Sequence, residues 1–192
     1  LYAASANGKA AELVIENDGA KEHVVKIRNT ANGAKDAAIV AKKDGAEARI
    51  EIKGAVDIEQ EGADLLHAHD GEIRIGSGSL IAKGGNAKAV HIRQGGKVYI
   101  NAEKDGKGVK AKFTERDVKI EGNVMLSRQG GFFGAALNTS DSYLKGRIGM
   151  DAFASGQTRL LLANGARWEN MSVGSGGDRI DGSHLTHLTA HQ

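Results

Sequence analysis

The sequence predicts an all-β chain wound as a parallel β-helix, with about three short strands to each rung. Three observations carry this: short alternating strands from residue 11 to 126, a longer interval of 20 to 26 residues between equivalent positions, and a core short of large side chains. Of 192 residues, 40% are hydrophobic but only 4% are aromatic, so the interior must be narrow and filled by Ile, Val, Leu and Ala. Glycine occurs 27 times and proline never, so the chain turns often and turns through positive φ.

The strands follow in order. In "AEARIEIKG", Ala48, Ile50 and Ile52 point one way while Arg49, Glu51 and Lys53 point the other, as a half-buried strand requires. The same rule recurs in "VDIEQ", "EIRIGS", "AVHIRQ", "KVYINA", "VKAKF" and "DVKIEG", most of them closed by glycine or asparagine. No window carries a capped apolar stripe at helical spacing, so almost no helix is expected. Ile50, Ile73, Val98 and Val118 recur at intervals of 23, 25 and 20 residues. Asp44-Gly45, Asp70-Gly71 and Gly95-Gly96 echo that interval in the turns. Stacked rungs then place Ile52, Ile75, Ile100 and Ile120 in one inward ladder, with Leu66, Val90 and Val109 on a neighbouring face. An antiparallel sandwich needs no such superperiod. About eight rungs at roughly 4.8 Å each make a rod on the order of 40 Å long.

Charge excludes some functions. Lys and Arg total 26 against 24 Asp and Glu, interleaved in sign, so no nucleic-acid partner is expected. The one basic cluster, "KDGKGVKAK" at 104–112, reads as a solvated strand and turn. With no cysteine there is neither a disulfide nor a thiolate metal site. No signal-like or 18-residue apolar run occurs, so an export signal or membrane anchor is expected outside residues 1–192.

From about residue 128 the pattern changes and aromatics increase. "RLLLANGARWENMS" at 159–172 holds the only tryptophan. Asn164-Gly165 is a strong hairpin signal, flanked by Leu160, Leu162, Ala166 and Trp168 on alternating positions. A β-hairpin there is expected to cover the last rung and to bury most of Trp168.

The ordered set Leu160, Leu162, Asn164, Gly165, Ala166, Trp168, then Ser183, Leu185 and Leu188, resembles the C-terminal, pertactin-like region of type V autotransporter passengers. There "L-x-L-x-N-G-A-x-W" leads to "S-x-L-x-x-L". The loop "VGSGGDRIDG" is an insertion relative to that pattern. The resemblance implies a surface-exposed stalk or adhesin serving attachment, auto-aggregation or biofilm formation, delivered through the outer membrane of a Gram-negative-type bacterium. It also implies that the nine residues form an autochaperone cap that folds early, with an outer-membrane barrel beyond Gln192. Host or bacterial surfaces, or other passengers, are the implied partners. The whole expectation is a right-handed parallel β-helix over 1–127, continuous with pertactin-like rungs and a C-terminal β-hairpin cap over 128–192.

Candidate chemistry is sparse, and no cofactor, metal or catalytic residue is expected. In "HAHD", His67 and His69 share an outward face beside inward Leu66 and Ala68, but a metal needs further ligands, available only from Asp70 or neighbouring Glu residues. In "HLTHLTAH", His184 and His187 face opposite ways on a strand. "GGDRIDG" at 176–182 is one partial copy of a calcium-binding repeat and reads as a loop. "GSGS" at 76–79 reads as a corner, and no nucleophile elbow or phosphate loop occurs. A polysaccharide lyase or hydrolase is the competing reading, drawing on Asp57, Glu59, Glu72, Arg74 and Arg93, but their alternating signs suit a solvated face.

Overall fold

A computed structural model describes residues 1–16, 24–29, 36–84, 87–151, 154–171 and 184–191. Among them there is no helix, and the strands lie in curled, mostly parallel sheets. The chain opens with β1 (Tyr2–Ala4), β2 (Ala11–Ile15), β3 (Val24–Asn29) and β4 (Ile39–Lys42). Then come β5 (Ala48–Glu61), β6 (Leu66–His69), β7 (Glu72–Lys83), β8 (Lys88–Arg93) and β9 (Lys97–Ile100). A hairpin of β10 (Ala102–Asp105) and β11 (Gly108–Ala111) precedes β12 (Val118–Glu121), β13 (Asn123–Ser127) and β14 (Gln129–Leu137). The chain continues with β15 (Tyr143–Lys145), β16 (Ile148–Met150), β17 (Ser155–Leu162), β18 (Arg167–Glu169) and β19 (His187–Ala190).

Pairing resolves these strands into three parallel ladders. One runs β1-β4-β6-β8-β13-β16. The long strands β5 and β7 each serve the other two: their first halves join β2, β9, β14, β17 and β19, and their second halves join β3, β12, β15 and β18. Inward residues stack in register within each ladder. Ile52, Ile75, Ile100, Ala135 and Leu160 align in one, and Ile27, Ile58, Leu80, Ile120, Leu144 and Trp168 in another. Leu66, Val90, Val124 and Ile148 align in the third. Most of these side chains are completely buried in one continuous core, in which Phe133 is the one fully buried aromatic ring among the described residues. Transfer of that apolar area from water, at about 25 cal/mol per Å², is the main force holding the ladders together.

Two sequence expectations need correction. Ile120 does not follow Ile100; it stacks on Leu80 in the next ladder. Val109 does not follow Val90 but lies on the antiparallel β10–β11 hairpin, and Val124 takes the expected place. The cause is the inserted hairpin, which stretches the spacing from Val90 to Val124 to 34 residues, whereas Leu66 to Val90 is 24. The hairpin folds onto the outside of the sheet, where Val109, Ala102, Tyr99, Phe132, Ala136 and Leu161 make a second apolar cluster. Arg159 fixes it by donating to the carbonyls of Gly106 and Gly108 at 2.9 and 3.0 Å.

Corners are made by small residues and asparagines. At "GSGS", β7 passes from one ladder to another, and Gly78 sits at φ +107° against the strand beneath. A Cβ there would lie 2.1 Å from the Val56 carbonyl oxygen, and one at Gly76 would lie 2.4 Å from that of Lys53. At another corner, buried Asn101 adopts φ +49°. Its amide donates to the carbonyls of Phe113 (3.0 Å) and Ala136 (3.2 Å) and its oxygen accepts from the Phe113 N–H (2.7 Å). Asn138 lies on the same corner and donates to the Thr114 carbonyl at 2.9 Å, and Asn164 donates to the Asn138 carbonyl at 3.0 Å. These side chains supply the hydrogen bonds that the ladders cannot provide where the backbone bends.

Because backbone on one strand closes on backbone of the next, Gly78→Ala is expected to lower unfolding free energy by about 2–4 kcal/mol in a urea titration. A loss below about 0.5 kcal/mol would show that the corner has room to relax.

Candidate functional site

The C-terminal segment is built by continuing the ladders. Leu160 is fully buried between Ala135 and Leu188 in register, and Leu162, partly buried, lies between Leu137 and Ala190. Asn164 and Gly165 take φ of +53° and +82° and form a tight turn, closed by the Ala166 N–H donating to the Ala163 carbonyl at 3.1 Å. That turn does not make the expected hairpin. β17 pairs in parallel with β14 and β19, and β18 pairs in parallel with β15, so the chain rounds a corner instead of reversing. Asn-Gly favours φ > 0 at both residues, which a corner needs as much as a hairpin does.

Trp168 stacks beyond Leu144 at the end of its ladder, with most of its surface covered but not fully buried, and Ala166 also packs against the core. Its indole N–H donates to the Gly146 carbonyl at 2.9 Å. Leu185 packs against the same core, whereas Leu188 is 48% exposed. The last strand is pinned by threonines: the Thr186 hydroxyl donates to the Thr158 carbonyl at 2.7 Å and accepts from the Thr158 N–H at 2.9 Å. Ser183 and the "GGDRIDG" loop lie outside the described residues.

The outward charges pair rather than converge. Arg28 meets Asp57 at 3.0 Å, Lys83 meets Glu59 at 2.5 Å, and Arg74 meets Glu72 at 2.5 Å while lying 4.2 Å over the Tyr99 ring. Glu51 is the buried member of this surface, held by Arg49 at 2.5 Å and by Lys112 at 3.1 Å from beyond the hairpin. Burial works to raise its carboxyl, but the Lys112 and Arg49 contacts outweigh that and hold it below the ordinary glutamate value.

A different cluster forms on the outer face of the β6–β8 pair. Parallel register sets His67 beside His91, with ring centroids 4.8 Å apart. Asp64, just before β6, reaches the same place. Its Oδ2 lies 2.8 Å from His91 Nδ1, and its Oδ1 accepts from the Lys88 N–H at 2.9 Å. His91 Nε2 meets the Ser127 hydroxyl at 3.1 Å. Asp64, His67 and His91 each offer a ligand-type atom within 4.8 Å of the others. His67 Nε2 is buried without a hydrogen-bond partner. Burial first, then the neighbouring His91, pushes the His67 imidazole down to about 4, so it is neutral at pH 7. His69 lies on the same side with its ring 6.5 Å from that of His67, but its Nε2 contacts Gln94. Asp70, a partner considered from the sequence, instead faces Lys43 at 3.6 Å. No family model matches this chain, and no curated protein or solved structure matches it either.

Two outcomes follow from these contacts. Trp168→Phe keeps a ring but loses the bond to Gly146 and should cost about 1 kcal/mol. Trp168→Ala should cost about 2 kcal/mol in the same urea titration, because the site is only partly enclosed. An alanine variant as stable as the parent would remove Trp168 from the core. For Glu51, a folded pKa below the unfolded value contributes stability that is present above about pH 4.5 and lost as pH falls further. Melting temperatures of the parent and Glu51→Gln should therefore differ most at pH 7 and draw together as pH falls progressively below 4.5. A constant gap across that range would mean that the charge is not what matters.

Proposed function

We propose that the chain is the C-terminal part of a surface-exposed type V autotransporter passenger. In this reading the three ladders are the faces of a right-handed parallel β-helix, one strand of each face per rung, which serves as a non-enzymatic stalk or adhesin. Attachment, auto-aggregation or biofilm formation follows from contacts along its outer faces, with host or bacterial surfaces or sister passengers as partners. Residues 128–192 are its pertactin-like module, which orders first and templates the rungs above it during export through the outer membrane.

The observation that carries the reading is continuity. The ladders that begin at β1, β2 and β3 run in parallel register into β16, β18 and β19, and the described residues of the autotransporter resemblance lie at that end. In a nearest-neighbour stack, an end built from Leu160, Trp168 and the Thr158–Thr186 pair is a surface on which the next rung can form. The paired outward charges support a solvated shaft over a carbohydrate-cleaving groove, which needs converging carboxylates.

The test is display. The full gene product is expressed in a Gram-negative host and probed with external protease, with and without residues 128–192. The parent should reach the surface as a protease-resistant core, and the deletion should leave a degraded or periplasmic product. Equal display of both would sink the folding role, and absence of the parent from the surface would sink the localisation. Product release from a polysaccharide panel by the purified chain would favour an enzyme instead.

A further inference from the structure

We propose that Asp64, His67 and His91 form a binding site for a divalent transition-metal ion of the zinc class, on the outer face of the β6–β8 pair. Two imidazole nitrogens and one carboxylate oxygen are a donor set that suits zinc, leaving a fourth position for water. Calcium and magnesium, which require shells of oxygen, are poorly served by a single carboxylate.

Three features separate this cluster from a surface ion pair. First, the ligand atoms lie within 4.8 Å of one another, and a tetrahedral site with bonds near 2.0–2.2 Å needs them about 3.3–3.6 Å apart, so small rotations of the rings suffice. Second, the groups behind the ligands are in place. Ser127 engages the far nitrogen of His91 and the Lys88 N–H engages the far oxygen of Asp64, which orients both toward the shared space. Third, His67 Nε2 is a buried polar atom with no hydrogen-bond partner, and coordination would satisfy it. Asp64 and His91 are each only 17% exposed, so the ion would be shielded from bulk water on most sides. The carboxylate offsets part of the ion's charge against nearby Arg93. Two of the ligands sit on adjacent strands of one ladder, so the ion clamps β6 to β8 in register.

The untagged chain, stripped with EDTA and dialysed, is titrated with Zn²⁺ by calorimetry at pH 7.5, and circular dichroism verifies the fold of each variant. Saturable binding of one ion per chain is expected, with affinity falling at least tenfold in His67→Gln and in Asp64→Asn and little changed in His69→Gln or His187→Gln. Co²⁺ in place of Zn²⁺ should give a visible absorption band of low-coordinate type that His67→Gln removes. Absence of saturable binding in the parent, binding that survives both ligand variants, or loss that tracks His187→Gln would overturn the site. None of these readouts depends on surface display, so the metal site and the autotransporter reading stand or fall separately.

Discussion

In-register stacking of identical positions on successive parallel strands is the constraint on which everything else here depends. Each inward residue must fit directly beside its partner on the neighbouring parallel strand, inside one continuous apolar core. Ile on Ile on Ile meets that condition because β-branched side chains stand on a pleated surface with few rotamers to lose. Rings meet it poorly, and accordingly Tyr99 and Phe132 lie on the outer cluster under the hairpin while, among the described residues, Phe133 is the one ring fully enclosed. The same repetition governs the outside, where Arg49 on β5 falls opposite Glu72 on β7 at 3.8 Å and Lys83 on β7 reaches diagonally to Glu59 on β5.

Stacking also dictates what the corners can be. When one strand lies directly on another, a bend in the lower one must be copied above, and the two backbones approach too closely for a side chain at Gly76 and Gly78. Asparagine answers the opposite problem, a corner with room but with unpaired backbone groups, and so Asn101, Asn138 and Asn164 recur there. Corner chemistry is as periodic as core chemistry, and for the same reason.

Much of this was legible in the sequence. Ile50, Ile73 and Val98, and Ile52, Ile75 and Ile100, stack as their spacing indicates, since nothing interrupts the chain between those rungs. The reading lost phase at Val118 and Ile120 because β10 and β11 alternate like the rung strands on either side, and periodicity carries no mark of which strand joins a ladder and which folds outward. Asn164-Gly165 misled for a related reason, because the dihedral preferences of the pair fit a corner and a reversal equally. The histidine cluster is the instructive omission. Stacking Leu66 on Val90 was expected from the sequence, and advancing each by one residue sets His67 beside His91. The two histidines lie 24 residues apart, so the local pattern of "HAHD" and its acidic neighbours does not contain the pair. Asp64 could be added only with the structure, since its position depends on the loop before β6.

The direction of the ladder hydrogen bonds has a mechanical meaning. In a parallel sheet they run from strand to strand, along the stacking direction rather than along the chain. A load applied at one end and directed along the stack therefore pulls on one strand's few bonds at a time, peeling the outermost strand before its neighbour feels the force. The exposed terminal strands β18 and β19 would yield first, each release paying out about 25 residues of slack chain before the next strand is loaded. Such a body dissipates a tug by stepwise lengthening and can rewind from the strands still in place, as a tether does rather than a rigid strut.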